Sequence, residues 1–272
     1  MDEFLKKQDK NLETAETLAL KRILRFLKQS RAEVIYTLLS FPGGFEEESL
    51  LIVLKNIDSL LLELHGQLGI EYRNIVTESA KIGKDDQIEL LNKFYGSKMS
   101  EMTTSLASLA IELKVLTTLE TNVDEFLGRF TGGLREKIKS TIQQSFIHGR
   151  SQGETITSIR DQYHTALGPT KRAVHHIYQT SYNAANHEVL EELEKSVPSA
   201  KKQWYSHMDK ETTLPCKNLH EQIKSITEPF IEPESKSKFM YPPACYGNPS
   251  MSPQFHFCRS RAIPYFEGEK NA

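Results

Sequence analysis

Apolar residues recur every three or four positions through the first part of the chain, which is the spacing of one buried helix face. This pattern predicts four helices, at about residues 11–40, 46–65, 72–94 and 97–120. Breaks are expected at Phe41-Pro42-Gly43-Gly44 and at Tyr95-Gly96, because proline and glycine interrupt helices. Long helices joined by short breaks predict a helix bundle or antiparallel hairpins, with the leucine stripes forming the core.

The helical pattern continues beyond Thr131-Gly132-Gly133, which we predict to be the main internal boundary. It separates a helical N-terminal region, 1–128, from a second domain, 129–272. Helices are expected across 134–195.

Local signals divide the 134–195 stretch into shorter helices. Ser151 and Glu154 have the spacing of a capping box, in which each satisfies a backbone amide of the other. Gly168-Pro169 is expected to stop the helix that begins there, and Val197-Pro198 to end the next one.

The amino-acid composition and the hydrophobic pattern change after Ser199. The aromatic run at 202–207 predicts a short strand, and frequent prolines exclude long helices. We therefore expect a small, loop-rich β subdomain at 200–266. The predicted fold class is mainly α, with an N-terminal bundle of long helices, a helical middle and a small C-terminal α+β subdomain.

Bulk composition excludes several classes of protein. The 272 residues carry a formal net charge of -2, so no overall basic field marks a nucleic-acid binder. Three cysteines are too few for a secreted disulfide framework, and the N-terminus lacks the basic-then-apolar order of a signal peptide. The longest apolar run is too short to span a bilayer, so no membrane partner is expected.

The cysteines and two histidines of the C-terminal subdomain are candidate zinc ligands. Thiolate and imidazole groups suit a tetrahedral Zn²⁺ site, and the candidate set is Cys216, His220, His256 and Cys258. Their spacing departs from paired C-x2-C motifs, and buried cysteines that pack as small hydrophobes are the favoured interpretation. A metal-dependent nuclease centre formed by Asp209 with His220 and His256 is the enzymatic alternative.

Basic residues outnumber acidic ones between Arg129 and Arg172. A basic helical face can neutralise DNA phosphates, although a solvated surface is the simpler interpretation. The candidate DNA contacts are Arg135, Lys137, Lys139, Arg150, Lys171 and Arg172. No Ser-His-Asp context and no phosphate-binding loop is present, so we expect no catalytic residues.

The order of short motifs in the second half resembles the phage head morphogenesis family of Mu F-like and SPP1-type minor head proteins. The resemblance covers about 130–266. It rests on Gly149–Glu154, on Tyr178–Asn186, and on Trp204, Asp209-x-x-Thr212, Cys216-x-x-Leu219, Pro242-Pro243-Ala244 and Cys258-Arg259.

This chain departs from the family pattern at its cysteines. Thr213 stands where the first cysteine is expected, Glu221 stands near an expected glycine, and Ser260 replaces the last cysteine. One member of each cysteine pair is therefore missing, which weakens a four-cysteine site. The residues that remain imply a structural scaffold: Trp204, Asp209, Thr212, Leu219, Pro242, Pro243 and Arg259.

The resemblance implies a noncatalytic, low-copy minor capsid protein located inside the virion, and in the host cytoplasm during assembly. Such proteins bind the portal protein during procapsid assembly, alongside capsid or scaffold proteins, and can contact packaged double-stranded DNA. Asp209 and Thr212 are expected to fix a tight turn, and Arg259 to form a structural ion pair or to cap backbone carbonyls, with DNA phosphate as the alternative partner. The alternatives are a zinc-supported, nuclease-like enzyme and a helical adaptor whose N-terminal half self-associates.

Overall fold

Long helices form the chain up to residue 196. The structure is a computed structural model that describes residues 1–40, 47–107, 113–210, 212–242 and 259–267. The long helices are α1 (Asp2–Leu39), α2 (Glu47–Ala107), α3 (Leu113–Ile147) and α4 (Gln152–Ser196).

The C-terminal part contains short strands and one short helix. These are β1 (Lys201–Tyr205), α5 (Leu214–Leu219), β2 (Ile223–Ser225), β3 (Phe230–Ile231), β4 (Lys238–Phe239) and β5 (Arg261–Tyr265). Within the described residues, β1 lies between β2 and β5 in an antiparallel sheet, with Gln203 opposite Ile223 on one side and Ile263 on the other. Strands β3 and β4 form a separate antiparallel pair. The predicted fold class, mainly α with a small C-terminal α+β region, is confirmed.

The chain divides into two compact units that interleave along the sequence. Unit 1 contains Met1–Glu16, Ile75–Leu119 and His175–Ala272, and unit 2 contains Thr17–Asn74 and Glu120–Val174. Neither unit coincides with the predicted regions 1–128 and 129–272. The assignment of 129–272 to a head morphogenesis domain stays a prediction.

The core of unit 1 joins the beginning of α1 to the C-terminal strands. Phe4 and Leu5 of α1 belong to the same buried cluster as Leu91 of α2, Leu193 of α4 and Trp204 of β1. Every residue from Tyr178 to Leu190 of α4 is buried, so this part of α4 is covered on all sides.

Helices α2 and α4 approach each other closely at Gly83, within unit 1. A Cβ atom added at Gly83 would lie 2.2 Å from the backbone oxygen of Tyr182, which is closer than nonbonded atoms can stand. Only glycine lets the two helix backbones meet at this separation.

Polar side chains link the helical segments of unit 2. Ser30 of α1 shares a 2.8 Å hydrogen bond with the hydroxyl of Tyr163 in α4. Arg135 of α3 donates two hydrogen bonds of 2.5 Å to the carboxylate of Asp58 in α2. Each pair fixes the axial position of one helix against another, because apolar side chains alone pack with little directional preference.

Several predicted local signals are confirmed. Glu154 accepts a 2.8 Å hydrogen bond from the Ser151 amide, and the Glu154 amide donates to the Ser151 hydroxyl at 3.3 Å, as a capping box requires. Helix α4 ends at Ser196, directly before Val197-Pro198, and β1 forms within the aromatic run. Helix α1 ends before Pro42, which lies outside the described residues.

Three predicted helix breaks are wrong. Helix α2 is continuous through the gap expected between residues 65 and 72 and through Tyr95-Gly96 as far as Ala107, and α3 runs through Thr131-Gly132-Gly133. The predicted helix at 97–120 overlaps the end of α2 and the beginning of α3, and residues 108–112 lie outside the described residues. A glycine inside a helix costs about 1 kcal/mol, which burial of neighbours such as Leu68 and Tyr95 outweighs.

The predicted stop at Gly168-Pro169 is also wrong, since α4 contains Pro169 in its interior. Proline has no amide to donate to the carbonyl of Thr165, four residues earlier. Both residues are exposed, so water can bind that carbonyl. The Thr170 hydroxyl donates to the carbonyl of Ala166 at 2.8 Å, within the same helix.

The contact at Gly83 predicts a strong effect of a single methyl group. Gly83→Ala should lower the free energy of unfolding by about 1–3 kcal/mol, because the new Cβ forces α2 and α4 apart. Chemical denaturation followed by circular dichroism measures this change.

Gly128→Ala is the matched control, because Gly128 lies in α3 with nothing within 4 Å of an added Cβ. It should stabilise the chain by up to about 1 kcal/mol through helix propensity. Equal effects of the two substitutions would contradict the close approach.

Candidate functional site

Residues from two separate motifs, Asp209-x-x-Thr212 and Cys258-Arg259, meet at the turn after β1. The Arg259 guanidinium donates to both carboxylate oxygens of Asp209, at 2.9 and 2.7 Å, although the two residues are 50 positions apart. Thr212 closes the same turn: its hydroxyl donates to the carbonyl of His207 and accepts from the Asp209 amide at 3.1 Å. The tight turn and the ion pair expected here are both formed.

The hydroxyl of Ser206 is the centre of a buried hydrogen-bond cluster. It accepts from the Trp204 indole at 2.9 Å, donates to the carbonyl of Cys216 at 2.9 Å and lies 2.8 Å from the Ser260 hydroxyl. Ser206 and Ser260 are almost fully buried. This cluster connects β1, α5 and the residue before β5 in one rigid arrangement.

Aromatic packing surrounds this cluster. Trp204 is fully buried and contacts Phe230 edge to face, with ring centroids 5.2 Å apart. Leu219 and Cys216, both on α5, are buried beside it, and Pro242 is buried after β4. The motif residues Trp204, Leu219 and Pro242 therefore form part of the core of the C-terminal module, which we define as residues 200–242 and 259–267.

An ion-pair cluster ties the C-terminal module to α1. The carboxylate of Asp9 pairs with His207 and with Arg261, the first residue of β5. Arg261 also donates to the amide oxygen of Gln8 at 2.8 Å. Since Arg261 is almost fully buried, the Asp9 charge compensates a cation that burial alone would strongly disfavour.

The same cluster extends to α2 and α4 through Asp86. The Tyr182 hydroxyl donates to the Asp86 carboxylate at 2.9 Å, and the Gln8 amide donates to the Asp86 backbone carbonyl at 2.9 Å. Burial raises the pKa of Asp86 from its ordinary value of 3.8 to about 7, with added repulsion from Glu89 and Asp85, while the Tyr182 bond opposes the shift. Asp86 therefore changes charge near neutral pH.

A cleft of about 920 Å³ lies between the first turns of α1 and the surface of β1 and its following turn, all within unit 1. Its polar lining includes Glu3, His207, Asp209, His220 and Glu221. The backbone amide of Ser206 donates a hydrogen bond to His220 Nδ1 at 3.1 Å. The Ser206 hydroxyl instead bonds to the groups described above, so its proton is not aimed at the imidazole.

The structure describes two of the four zinc candidates, Cys216 and His220, and a metal site at them stays a prediction. Because His220 Nδ1 accepts the Ser206 amide hydrogen, the neutral imidazole carries its proton on Nε2 and offers no lone pair to a metal. Among the described residues, no group of three or more Cys, His, Asp or Glu side chains could hold an ion. His256 and Cys258, like Pro243 and Cys245, lie outside the described residues.

The candidate DNA contacts separate into two groups. Arg135 and Lys139 both pair with Asp58, and the Arg135 guanidinium lowers the pKa of that carboxyl. Lys137, Arg150 and Lys171 are exposed, and Arg172 is half-buried. Two of the six candidate DNA contacts are therefore paired with a carboxylate within unit 2, and a DNA-binding role for the other four stays a prediction.

Sequence reasoning missed Gln8, Asp9, Asp86 and Arg261. Gln8 and Arg261 are 253 positions apart, so no local pattern reports their contact. One signal was available: Gln8 falls on the apolar stripe that contains Phe4 and Leu12, and a polar residue on such a stripe indicates a buried hydrogen bond.

Comparisons with models of protein families, with curated proteins and with solved structures found no match for this chain. The resemblance to the head morphogenesis family stays a prediction from the motifs. No helix in the described ranges combines the length and the apolar character that a membrane crossing requires.

The Ser206 cluster predicts a large effect from loss of one hydroxyl. Ser206→Ala should lower the free energy of unfolding by about 1–3 kcal/mol, because the Trp204 indole and the Cys216 carbonyl lose a buried partner. Urea denaturation followed by tryptophan fluorescence measures it. Ser199→Ala, at an exposed position, should change stability by less than about 0.5 kcal/mol.

The raised pKa of Asp86 predicts a pH-dependent stability. Protonated Asp86 stabilises the folded chain fully below pH 3.8, and this contribution is lost as pH rises towards 7. Asp86→Asn keeps an acceptor for Tyr182 without the charge. The variant should therefore gain stability relative to the parent between pH 4 and 7, by on the order of 2–4 kcal/mol.

Denaturation of both chains across this pH range tests the effect of Asp86. Asp85→Asn, at the exposed neighbouring position, should show little of this pH-dependent difference. A constant difference between the Asp86 variant and the parent would show that the carboxyl is ionised throughout.

Proposed function

We propose that this chain is a noncatalytic minor head protein of a tailed phage, located inside the capsid, which binds the portal protein during procapsid assembly. The long helices form the body of the protein. The C-terminal module is the docking unit, and capsid or scaffold proteins and packaged double-stranded DNA are further partners.

The observation that supports this proposal most directly is the contact between Arg259 and Asp209. The two residues belong to different motifs of the family resemblance, and Thr212 completes the same turn. A motif order inherited from a common scaffold requires such residues to act together in three dimensions, and chance matches do not. Burial of Trp204 and Leu219 in one core supports the same interpretation.

The chemistry of the module favours docking over catalysis. Its polar groups at the Asp209 turn and the Ser206 cluster bond to one another: the hydroxyls of Ser206 and Ser260 are buried, and Asp209 pairs with Arg259. Met208 and Leu214 are each more than half exposed, and they lie on either side of the Asp209 turn. Exposed apolar side chains on a rigid turn suit a protein interface.

The zinc-supported, nuclease-like alternative stays a prediction without support from the described residues. His220 would have to give up the Ser206 amide before it could bind a metal through Nδ1. Elemental analysis of the purified protein tests this alternative independently of portal binding, with about one zinc per chain as its expected result.

Retention of the chain on its portal protein tests the proposed function. The tagged chain, co-expressed with the portal protein encoded in the same genome, should co-purify with it and should be present in procapsids and virions. Met208→Glu combined with Leu214→Glu should reduce retention about tenfold, because two apolar anchors become charged.

Ile147→Glu is the control for this experiment, since Ile147 is also more than half exposed but lies at the end of α3. It should be retained like the parent chain. Absence of the parent chain from both procapsids and virions would rule out the proposal, and equal losses for both variants would remove the module as the docking unit.

A further inference from the structure

One face of α2 in unit 2 combines exposed apolar residues with small ones. Ile52 and Leu62 are each 53% exposed and Ile70 is 63% exposed, whereas other apolar residues of α2, such as Ile57 and Leu64, are buried. Lys55, Ser59 and Gly66 lie between them and are exposed as well. Spacings of three and four residues place all six on one stripe, about 27 Å long.

The stripe is complementary to itself when it is reversed. A twofold axis between Ser59 and Leu62 places Leu62 of one copy opposite Ser59 of the other, and Lys55 opposite Gly66. It places Ile52 opposite Gly69, one residue from Ile70, so that Ile52 and Ile70 come together at each end of the contact. At the Leu62–Ser59 and Lys55–Gly66 positions a large side chain faces a small residue, as interlocking helix packing requires, and nothing lies within 4 Å of a Cβ built at Gly66.

Charges agree with the same register. Lys55 opposite Gly66 lies within one helical turn of Glu63 of the second copy, so its ammonium can reach that carboxylate. The twofold axis generates this pair twice. Glu63 is exposed, and its Oε1 accepts a 3.1 Å hydrogen bond from Gln67 of the same helix. In a parallel pair, Lys55 would face Lys55.

We infer that two copies of this chain associate through an antiparallel contact between their α2 helices, centred between Ser59 and Leu62. The contact buries Ile52, Leu62 and Ile70, and the opposed lysine and glutamate residues fix its direction. This inference does not depend on the proposed function, because it uses only the α2 face of unit 2.

Sedimentation or light scattering of the full chain over a wide concentration range tests the association. The parent chain should show a reversible monomer–dimer equilibrium. Leu62→Glu should weaken it at least tenfold, because a carboxylate replaces the central apolar side chain. Leu18→Glu is the matched control: Leu18 is 50% exposed on α1 and should have no effect. Circular dichroism verifies that both variants are folded.

Cysteine cross-linking tests the direction of the helices. In one chain, positions 55 and 66 are about 16 Å apart along α2, too far for a disulfide. Mild oxidation of Lys55→Cys/Gly66→Cys should therefore yield covalent dimers, whereas Lys55→Cys alone should not. The parent chain, oxidised in parallel, accounts for the native cysteines.

Three outcomes would overturn the inference. They are a parent chain that is monomeric at every concentration, an association that Leu62→Glu leaves unchanged, and cross-linking of Lys55→Cys alone, which would indicate a parallel contact.

Discussion

The close approach of α2 and α4 at Gly83 is the constraint on which the rest of unit 1 depends. Because no side chain separates the helices there, the Asp86 carboxylate, less than one turn further along α2, reaches the Tyr182 hydroxyl. Gln8 of α1 then bonds to the Asp86 carbonyl and to Arg261 of β5. One short backbone contact thus fixes the positions of α1, α2, α4 and the sheet relative to one another.

Buried polar groups, more than apolar packing, specify how the C-terminal module attaches to the helices of unit 1. Apolar side chains such as Trp204 and Phe230 supply most of the burial, but they tolerate small displacements. The Asp9 pairs with His207 and Arg261 do not, because a displaced partner leaves a charge buried without compensation. The module therefore presents its exposed turn on a fixed base.

Local features such as helix caps and turns were predictable from the sequence, and contacts between residues far apart in the chain were not. The capping box at Ser151 and the end of α4 at Ser196 depend on neighbouring residues and were predicted correctly. The breaks at Gly132 and Pro169 were wrong: packing outweighs the local cost of glycine, and at Pro169 the carbonyl that lacks a donor is exposed to water. Within the candidate site, the Asp209 turn was predictable from its spacing. The Asp9 and Asp86 contacts join residues far apart in the chain. The one sequence signal for them was the polar residue Gln8 on an apolar helix face.

The interleaving of the two units has a consequence for synthesis on the ribosome. Unit 1 requires residues 1–16 at one end of the chain and strand β5 at the other. The residues of unit 2 all emerge before the last segment of unit 1 is made, so unit 2 can complete its packing while the chain is still growing. The first turns of α1, with Phe4, Leu5 and Asp9, must wait for the final strand. Until β5 has been translated, these residues lack their neighbours in the C-terminal strands, and we expect a chaperone to bind them.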